Sequence, residues 1–223
     1  RPGLPFRYPP RYTPPEPTRF LRVLDLRQGG RRRPMSLRER RLVRRLKQQD
    51  ERAFREMVLT HQQQVYNIVF RMLNNAQEAE DLTQEVFVTV FKSIESFRGD
   101  SKFSTWLYRI AVNHCKNRFK YLSRRAYHAT RSLDDVRERE KSDVPLHGEV
   151  SRPDQVYEGR RLESAIQREI ANLDDDHRVL IVLRDIQGLS YDEIGNITGL
   201  AAGTVKSRLH RARMALKDRL EKF

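Results

Sequence analysis

Apolar residues in this chain recur at three- and four-residue steps, the period of a helix laid against a core. Ser36 and Glu39 have capping-box spacing, in which a hydroxyl and a carboxylate satisfy free amides of a first helical turn. Leu42, Val43 and Leu46 then follow at helical spacing. A longer run, Ala53, Phe54, Met57, Val58, Val65, Ile68, Val69 and Met72, holds one apolar face over several turns until Asn74-Asn75 breaks it. A third run carries Leu82, Val86, Phe87, Val90, Phe91 and Ile94. Residues 96–101, with Gly99 and Asp100, have turn chemistry. Helical spacing returns over residues 103–122, with Leu107, Ile110 and Ala111 facing inward. No stretch alternates convincingly as a strand, so the pattern predicts an all-α fold.

Apolar density then falls across residues 123–157. Charges of both signs alternate there with Pro145, Gly148 and Pro153, which predicts a flexible linker. A second unit spans residues 158–223. Leu162, Ile166 and Ile170 mark one helix, and Leu173, Val179, Leu180, Val182 and Leu183 mark another that ends near Gly188. Ser190 and Glu193 form a second capping-box pair ahead of Ile194 and Ile197. Gly199 to Gly203 reads as a tight turn, with a last helix beginning near Thr204. The expected architecture is two small helical domains, 35–122 and 158–223, joined by that linker, the C-terminal one a helix-turn-helix. Residues 1–34 stand apart. Pro9-Pro10 and Pro14-Pro15 forbid helix, and the segment reads as a disordered Pro/Arg-rich tail. Met35 sits just before the first helix start and reads as a natural first residue, with the tail from an over-long reading frame.

Charge sharpens this picture. The formal net charge of +14 favours a polyanionic partner. Residues 101–131 hold Lys102, Arg109, Lys116, Arg118, Lys120, Arg124, Arg125 and Arg131 without one acid. Residues 204–217 hold Lys206, Arg208, Arg211, Arg213 and Lys217, again without an acid. A solvated helix usually mixes signs, so two one-sign surfaces point to two phosphate-facing sites.

Other chemistries find little support. No apolar run approaches the roughly 18–20 residues needed to span a bilayer, and the tail has no secretory h-region. Cys115, the single cysteine, excludes an intramolecular disulfide and reads as a small buried thiol in a cytoplasmic protein. His61, His114, His128, His147, His177 and His210 form no metal pattern, and no Gly-rich phosphate loop is present. His114 and Cys115 are adjacent, so on a helix they point apart and make a poor dyad. The expectation is no metal, no cofactor, no small-molecule substrate and no enzymatic activity. A nuclease reading would rest on Glu80, Asp81 and Glu85 alone, a weak cluster.

In the last helix Val205, Leu209, Ala212 and Leu216 form an inward seam. Lys206, Ser207, His210, Arg211 and Arg213 therefore project outward, with Arg208 in the same basic run. A major groove admits one such helix, and residues near its N-terminus reach base edges. The plainer explanation is a helical hairpin with a solvated basic face. Upstream, Phe97, Phe103, Trp106 and Tyr108 interleave with Arg98, Lys102, Arg109 and Lys116, the combination of aromatic platform and basic track that holds single strands. Phe103 and Trp106 lie at helical spacing from Ile110 and suit packing. Phe97, in a polar loop beside Arg98, is the better candidate to meet an unstacked base.

Gly188-Leu189-Ser190-Tyr191-Asp192-Glu193-Ile194, followed by Gly203-Thr204-Val205-Lys206-Ser207-Arg208-Leu209-His210-Arg211-Ala212-Arg213, resembles the C-terminal promoter-reading domain of ECF sigma factors. Glu80-Asp81-Leu82-Thr83-Gln84-Glu85-Val86-Phe87 resembles their polymerase-binding helix, and residues 97–113 their promoter-melting segment. Together these matches cover nearly all of residues 40–122 and 158–223. The resemblance implies a factor that binds core RNA polymerase and both double- and single-stranded promoter DNA. It implies that Asp81, Gln84 and Glu85 dock on the clamp helices of the polymerase large subunit. It places Asn113 at the downstream promoter element, with Phe97, Arg98, Lys102, Trp106 and Lys116 around it, and it leaves room for an anti-sigma partner. A helix-turn-helix regulator that does not engage polymerase would share the last helix but have no use for the Trp106 segment. A helical adaptor for acidic proteins is the third reading.

Overall fold

A computed structural model describes residues 35–132 and 163–221. The predicted tail, residues 1–34, residues 133–157 of the predicted linker, and residues 158–162 and 222–223 of the predicted second unit, Leu162 among them, lie outside the described residues. Those described are helical, without a strand among them, in the order the periodicity predicts.

The first helix, α1 (Leu37–Lys47), starts where Ser36 Oγ accepts the Glu39 N–H at 3.2 Å. The other half of the predicted capping box does not form. The Glu39 carboxylate instead accepts the Phe103 N–H at 2.7 Å, so it serves a different helix. Asp50 caps α2 (Glu51–Leu73) by accepting from the Arg52 and Ala53 amides. The Asn74-Asn75 break divides its labour between two residues. Asn74 closes α2 in the left-handed region at φ 53°, and the Asn75 side chain accepts from Glu78 N–H to open α3 (Ala76–Ser93). A short 3₁₀ turn, Ile94–Ser96, leads to the loop before α4 (Phe103–Ser132).

The helices α2, α3 and α4 pack on one another, burying Met57, Val65, Ile68 and Met72 against Leu82, Val86 and Val90 and against Leu107, Ala111 and Cys115. Burying each large aliphatic side chain stabilises by about 1.5–3 kcal/mol, and this seam holds the helices in register. Burial pushes the Cys115 thiol up to about 12, which keeps it protonated and inert.

One boundary moves. The predicted linker begins at residue 123, whereas α4 continues through Ser132. A fall in apolar density reports that a segment has no core to face, and helix can persist without one.

In the C-terminal unit α5 (residues 163–171) precedes α6 (Asp175–Ile181), which Asp174 caps by accepting the His177 N–H. A single π-type turn, Val182–Ile186, carries α6 onward to Gly188. Gly188 takes φ 68° and donates its N–H to Arg184 O, the left-handed helix ending a glycine allows. Ser190 and Glu193 complete both halves of their capping box at the start of α7 (Tyr191–Thr198). The last helix, α8 (Ala202–Leu220), starts at Ala202, slightly before the predicted Thr204.

The two units touch. Buried residues of both form one continuous core, with α7 against α4 and the π-type turn against α2. Arg178 is the central polar contact. It is buried, donating to Ala171 O and Leu173 O within its own unit and to Met72 O at the end of α2, at 2.7, 2.7 and 3.0 Å. Its guanidinium also lies 4.7 Å from the centroid of the Phe119 ring on α4. Burial pulls the Arg178 pKa down from its ordinary value, while Asp175 and Asp174 oppose that shift.

Candidate nucleic-acid interface

The reading helix is held by the seam the sequence predicts. Val205, Leu209 and Ala212 are buried and Leu216 packs half-buried beside them. The turn before it is tight for a reason that the predicted Gly199–Gly203 motif does not contain. A Cβ on Gly195, inside α7, would meet Leu200 O at 2.7 Å, so only glycine lets the turn fold back that closely. A glycine interrupting a short helical run was the available signal. Arg184 steadies the entry to α7, donating to Leu189 O at 2.7 Å with its guanidinium 4.9 Å from the centroid of the Tyr191 ring.

The predicted recognition residues divide into two groups. Lys206, Ser207, His210 and Arg211 are exposed on the outer face of α8. Arg208 is half-buried, 3.6 Å from Asp176. Arg213 does not project freely. It makes a two-pronged ion pair with Asp185 on the π-type turn, Nε to Oδ2 at 3.1 Å, and this pairing raises its pKa. The sequence places Arg213 in the DNA-facing basic run; in the structure it is paired with Asp185, 28 residues away in sequence and brought to it by the fold.

The segment expected to melt promoters also packs differently from the sequence reading. Phe97, read from sequence as the better candidate to meet an unstacked base, is only 3% exposed. Its ring meets Phe103 edge-on at 5.7 Å and Trp106 at 5.3 Å, and Phe103 and Trp106 lie 5.8 Å apart. Three rings within van der Waals reach bury more apolar area together than any one would alone. The loop therefore folds Phe97 inward and presents Arg98, which is exposed. Trp106 is the half-buried member of the trio and so the one with accessible ring surface. Asn113 is exposed on α4. Lys102 and Lys116 are engaged elsewhere: Lys102 Nζ lies 2.6 Å from Glu193 and Lys116 Nζ 3.0 Å from Asp176, both in the C-terminal unit.

On α3, Asp81, Gln84 and Glu85 are exposed and line a shallow groove with Val88, Thr89 and His114. Val88 is a large exposed apolar residue on this face that charge reasoning passed over. Arg118, counted from sequence in the acid-free basic run of residues 101–131, crosses to this face, pairing with Glu78 at 2.8 Å and Glu85 at 3.0 Å. That contact explains Glu85, which lies too far along α3 for the helix dipole to account for it. Thr89 Oγ1 bonds the His114 ring at 2.9 Å and fixes the groove wall.

The geometry is thus a basic helix on a helix-turn-helix and a second helical unit with an aromatic–basic segment beside an acidic groove. Known proteins share both parts. The family profile for Sigma-70 region 2 matches residues 57–125 and that for Sigma-70, region 4 matches residues 163–216. The RNA polymerase sigma-H factor of Pseudomonas aeruginosa is 35% identical over 183 residues, covering 82% of this chain and 94% of that protein. The ECF RNA polymerase sigma-E factor of Escherichia coli is 36% identical over 180 residues, covering 81% and 93%. The sigma factor RpoE of Bartonella quintana, solved in complex with the anti-sigma factor NepR, superposes with TM-score 0.56 at 25% identity over 75% of this chain and 96% of that one. CnrH in complex with the cytosolic domain of CnrY shares the fold, with TM-score 0.58 at 24% identity over 82% and 97%. Two matched regions in the order the motifs require, and full-length similarity to named sigma factors, establish that the chain belongs to the ECF sigma factors, which direct RNA polymerase in transcription initiation.

Proposed function

We propose that residues 35–132 form the polymerase-binding and promoter-melting domain and that residues 163–221 lie in the upstream-element reader. Asp81, Gln84 and Glu85, with exposed Val88 beside them, form the docking face for core polymerase. Arg98, Trp106 and Asn113 meet the downstream element, with Lys102 and Lys116 joining them once released from Glu193 and Asp176. Lys206, Ser207, His210 and Arg211 read the upstream element in the major groove, and Arg208 supports them at the backbone. The chain binds and positions without catalysing a reaction, and it acts in the cytoplasm, where its polymerase and DNA partners are. An anti-sigma protein is a fitting partner, since RpoE was solved in complex with the anti-sigma factor NepR.

The observation that carries this reading is the outer face of α8: four exposed polar or basic side chains over a buried Val205–Leu209–Ala212 seam. The deciding experiment is run-off transcription with purified core polymerase, with and without this chain, on a library of promoter fragments. Transcripts from a defined subset of templates, dependent on the chain, support the assignment. Chain-dependent binding to duplex DNA with no transcript would leave a regulator that does not engage polymerase.

A further inference from the structure

The outer face of α1 is basic in a way that the order of charges along the chain conceals. Glu39 is the only acid of this helix, and it interrupts the run of arginines in sequence. In the fold it is turned away from them, because its carboxylate accepts the Phe103 N–H at 2.7 Å. Leu42, Val43 and Leu46 face the core. Arg45 is held on the flank beside α2, by Asp50 at 2.8 Å and Glu56 at 3.1 Å. Arg40, Arg41 and Arg44 are exposed on the opposite side, and among the described residues none of their side chains has a hydrogen-bond or ion-pair partner. Arg40 and Arg44 are four residues apart and Arg41 and Arg44 three, so both pairs of like charges meet on one face and repel. Exposed Arg38 adds a cation in the first turn, where the helix dipole disfavours one. The charges of α1 thus oppose its own stability, and a polyanion on the outer face would reverse that.

We infer that Arg40, Arg41 and Arg44 form a phosphate track for promoter DNA that continues from the Arg98 loop. The inference rests on the assignment of that loop to the downstream element. Position carries it. α1 lies alongside the segment from Glu95 to Phe103: Lys47 Nζ meets Glu95 O at 3.4 Å near one end, and Glu39 bonds Phe103 near the other. A Cβ on Gly99 would lie 4.0 Å from the Met35 methyl, so the chain entering α1 packs on the tip of the loop that presents Arg98. For a strand held at Arg98, the outer face of this 11-residue helix, about 16 Å long, is the adjacent basic surface. Guanidinium groups pair with phosphate oxygens two bonds at a time and read no sequence there, so the track positions the strand and leaves base choice to other residues. An anionic membrane is a poorer fit, because a helix lying in a lipid surface needs its apolar side free. The apolar side of α1 is in the core, and only Leu37, 84% exposed, is left outside.

The test uses holoenzyme made from core polymerase and the full chain, either wild type or carrying Arg40→Gln, Arg41→Gln and Arg44→Gln. The charge-matched control carries Arg52→Gln, Arg55→Gln and Arg168→Gln, at exposed arginines outside this face. Binding to a fluorescent promoter fragment is followed by anisotropy over a salt series, and binding to core polymerase alone is measured beside it. Each phosphate contact contributes about 0.7–0.9 to the slope of log affinity against log salt, so losing three should lower the slope by about 2–3. Between about 50 and about 200 mM salt, wild-type affinity should then fall about 15- to 60-fold more than that of the triple variant. The control should keep the wild-type slope, as should a chain with lysine at the same three positions of α1, since counterion release follows charge. All four chains should bind core polymerase alike. Neutral methylphosphonate linkages beside the melted element should weaken wild type and leave the glutamine variant unchanged. A glutamine variant with the control's salt slope would overturn the inference. So would a loss of core binding by that variant at an unchanged slope, which would give the face to an acidic protein surface. If wild-type holoenzyme formed no promoter complex, the loop assignment would fall and this inference with it; a normal complex with equal slopes would remove the track alone.

Discussion

Glu39 Oε1 on α1 accepts the backbone N–H of Phe103, the first residue of α4, at 2.7 Å. The first helix of the described chain therefore caps the helix proposed to carry the melting segment. The contact spans 64 residues and fixes where the loop holding Arg98 ends and where the Phe97–Phe103–Trp106 cluster begins. Glu39→Ala should cost about 1 kcal/mol, the usual loss of a side-chain helix cap, while Glu39→Gln, which keeps an acceptor oxygen, should cost less. Urea unfolding measures the cost. Permanganate reactivity of promoter thymines should fall in the alanine variant at saturating polymerase. Equal unfolding midpoints for wild type and both variants would remove the cap from the account of α4.

His61 lies against the other side of the same cluster, its ring 5.7 Å from Phe103. Burial lowers its pKa below the ordinary 6.5, with Glu39 pulling the opposite way. Below that ordinary value the unfolded chain takes up a proton that the folded chain resists, so stability should fall as pH drops through 6.5 toward the folded value. Replacing His61 with Gln should flatten this part of the pH profile. The measurement is the urea midpoint of both proteins at about pH 7.5 and about pH 5.5. Parallel profiles would show that another group sets the slope.

The docking face makes a graded prediction. Asp81 is exposed and, among the described residues, its carboxylate meets only Gln77 at 3.4 Å, so Asp81→Arg should weaken co-purification with core polymerase without lowering thermal stability. Glu85→Lys places a cation against Arg118 and His114, which Glu85 now faces at 3.0 and 3.7 Å. It should weaken polymerase binding and lower Tm as well. Unchanged co-purification of the Asp81 variant would remove this face from the polymerase contact.

Arg178 ties both units together through backbone carbonyls of Met72, Ala171 and Leu173. Arg178→Met keeps the length of the side chain and removes every donor. A buried acceptor left without a partner costs about 1–3 kcal/mol, so the variant should unfold at clearly lower urea. Fluorescence of Trp106, the chain's one tryptophan, reports the N-terminal unit and far-ultraviolet circular dichroism reports both. A variant as stable as wild type would mean that water replaces the guanidinium at no cost.

Local signals were legible where one segment determines its own structure. The Asn74-Asn75 break, the Ser190–Glu193 box and the Val205–Leu209–Ala212 seam each depend on residues within a few positions of one another. Features set by distant partners were not legible. Nothing near Phe97 says that Phe103 and Trp106 will enclose it, nothing near Arg213 points to Asp185, and Lys102 and Glu193 are 91 residues apart. Charge counting found the acid-free basic run of residues 101–131 but took its cations as free, because sequence shows the sign of a face and not what lies opposite. Ser36 and Glu39 show the same limit at short range, since correct box spacing did not stop the carboxylate from reaching a better-placed amide on α4.

The reading helix allows the sharpest separation of roles. Arg211 is exposed on the face opposite Val205 and Leu209, where a guanidinium can make a bidentate bond to guanine. Arg211→Ala should cost about 1–3 kcal/mol of binding and relax preference at one base pair of the upstream element. Lys217 is 61% exposed and, among the described residues, pairs with Glu221, one turn on, so a phosphate contact is the expected role. Lys217→Ala should weaken all sequences alike and reduce the salt dependence by about one phosphate. Arg213 differs from both. Its two-pronged bond to Asp185 braces α8 against the π-type turn, so Arg213→Ala should lower Tm and weaken every sequence in proportion, without changing base preference. A binding series over single base changes at two salt concentrations, with Tm measured for each variant, distinguishes the three outcomes. Relaxed base preference from Arg213→Ala with unchanged Tm would mean that the arginine leaves Asp185 to read DNA. Uniform weakening by Arg211→Ala would mean that sequence is read through DNA shape or through the segment around Asn113.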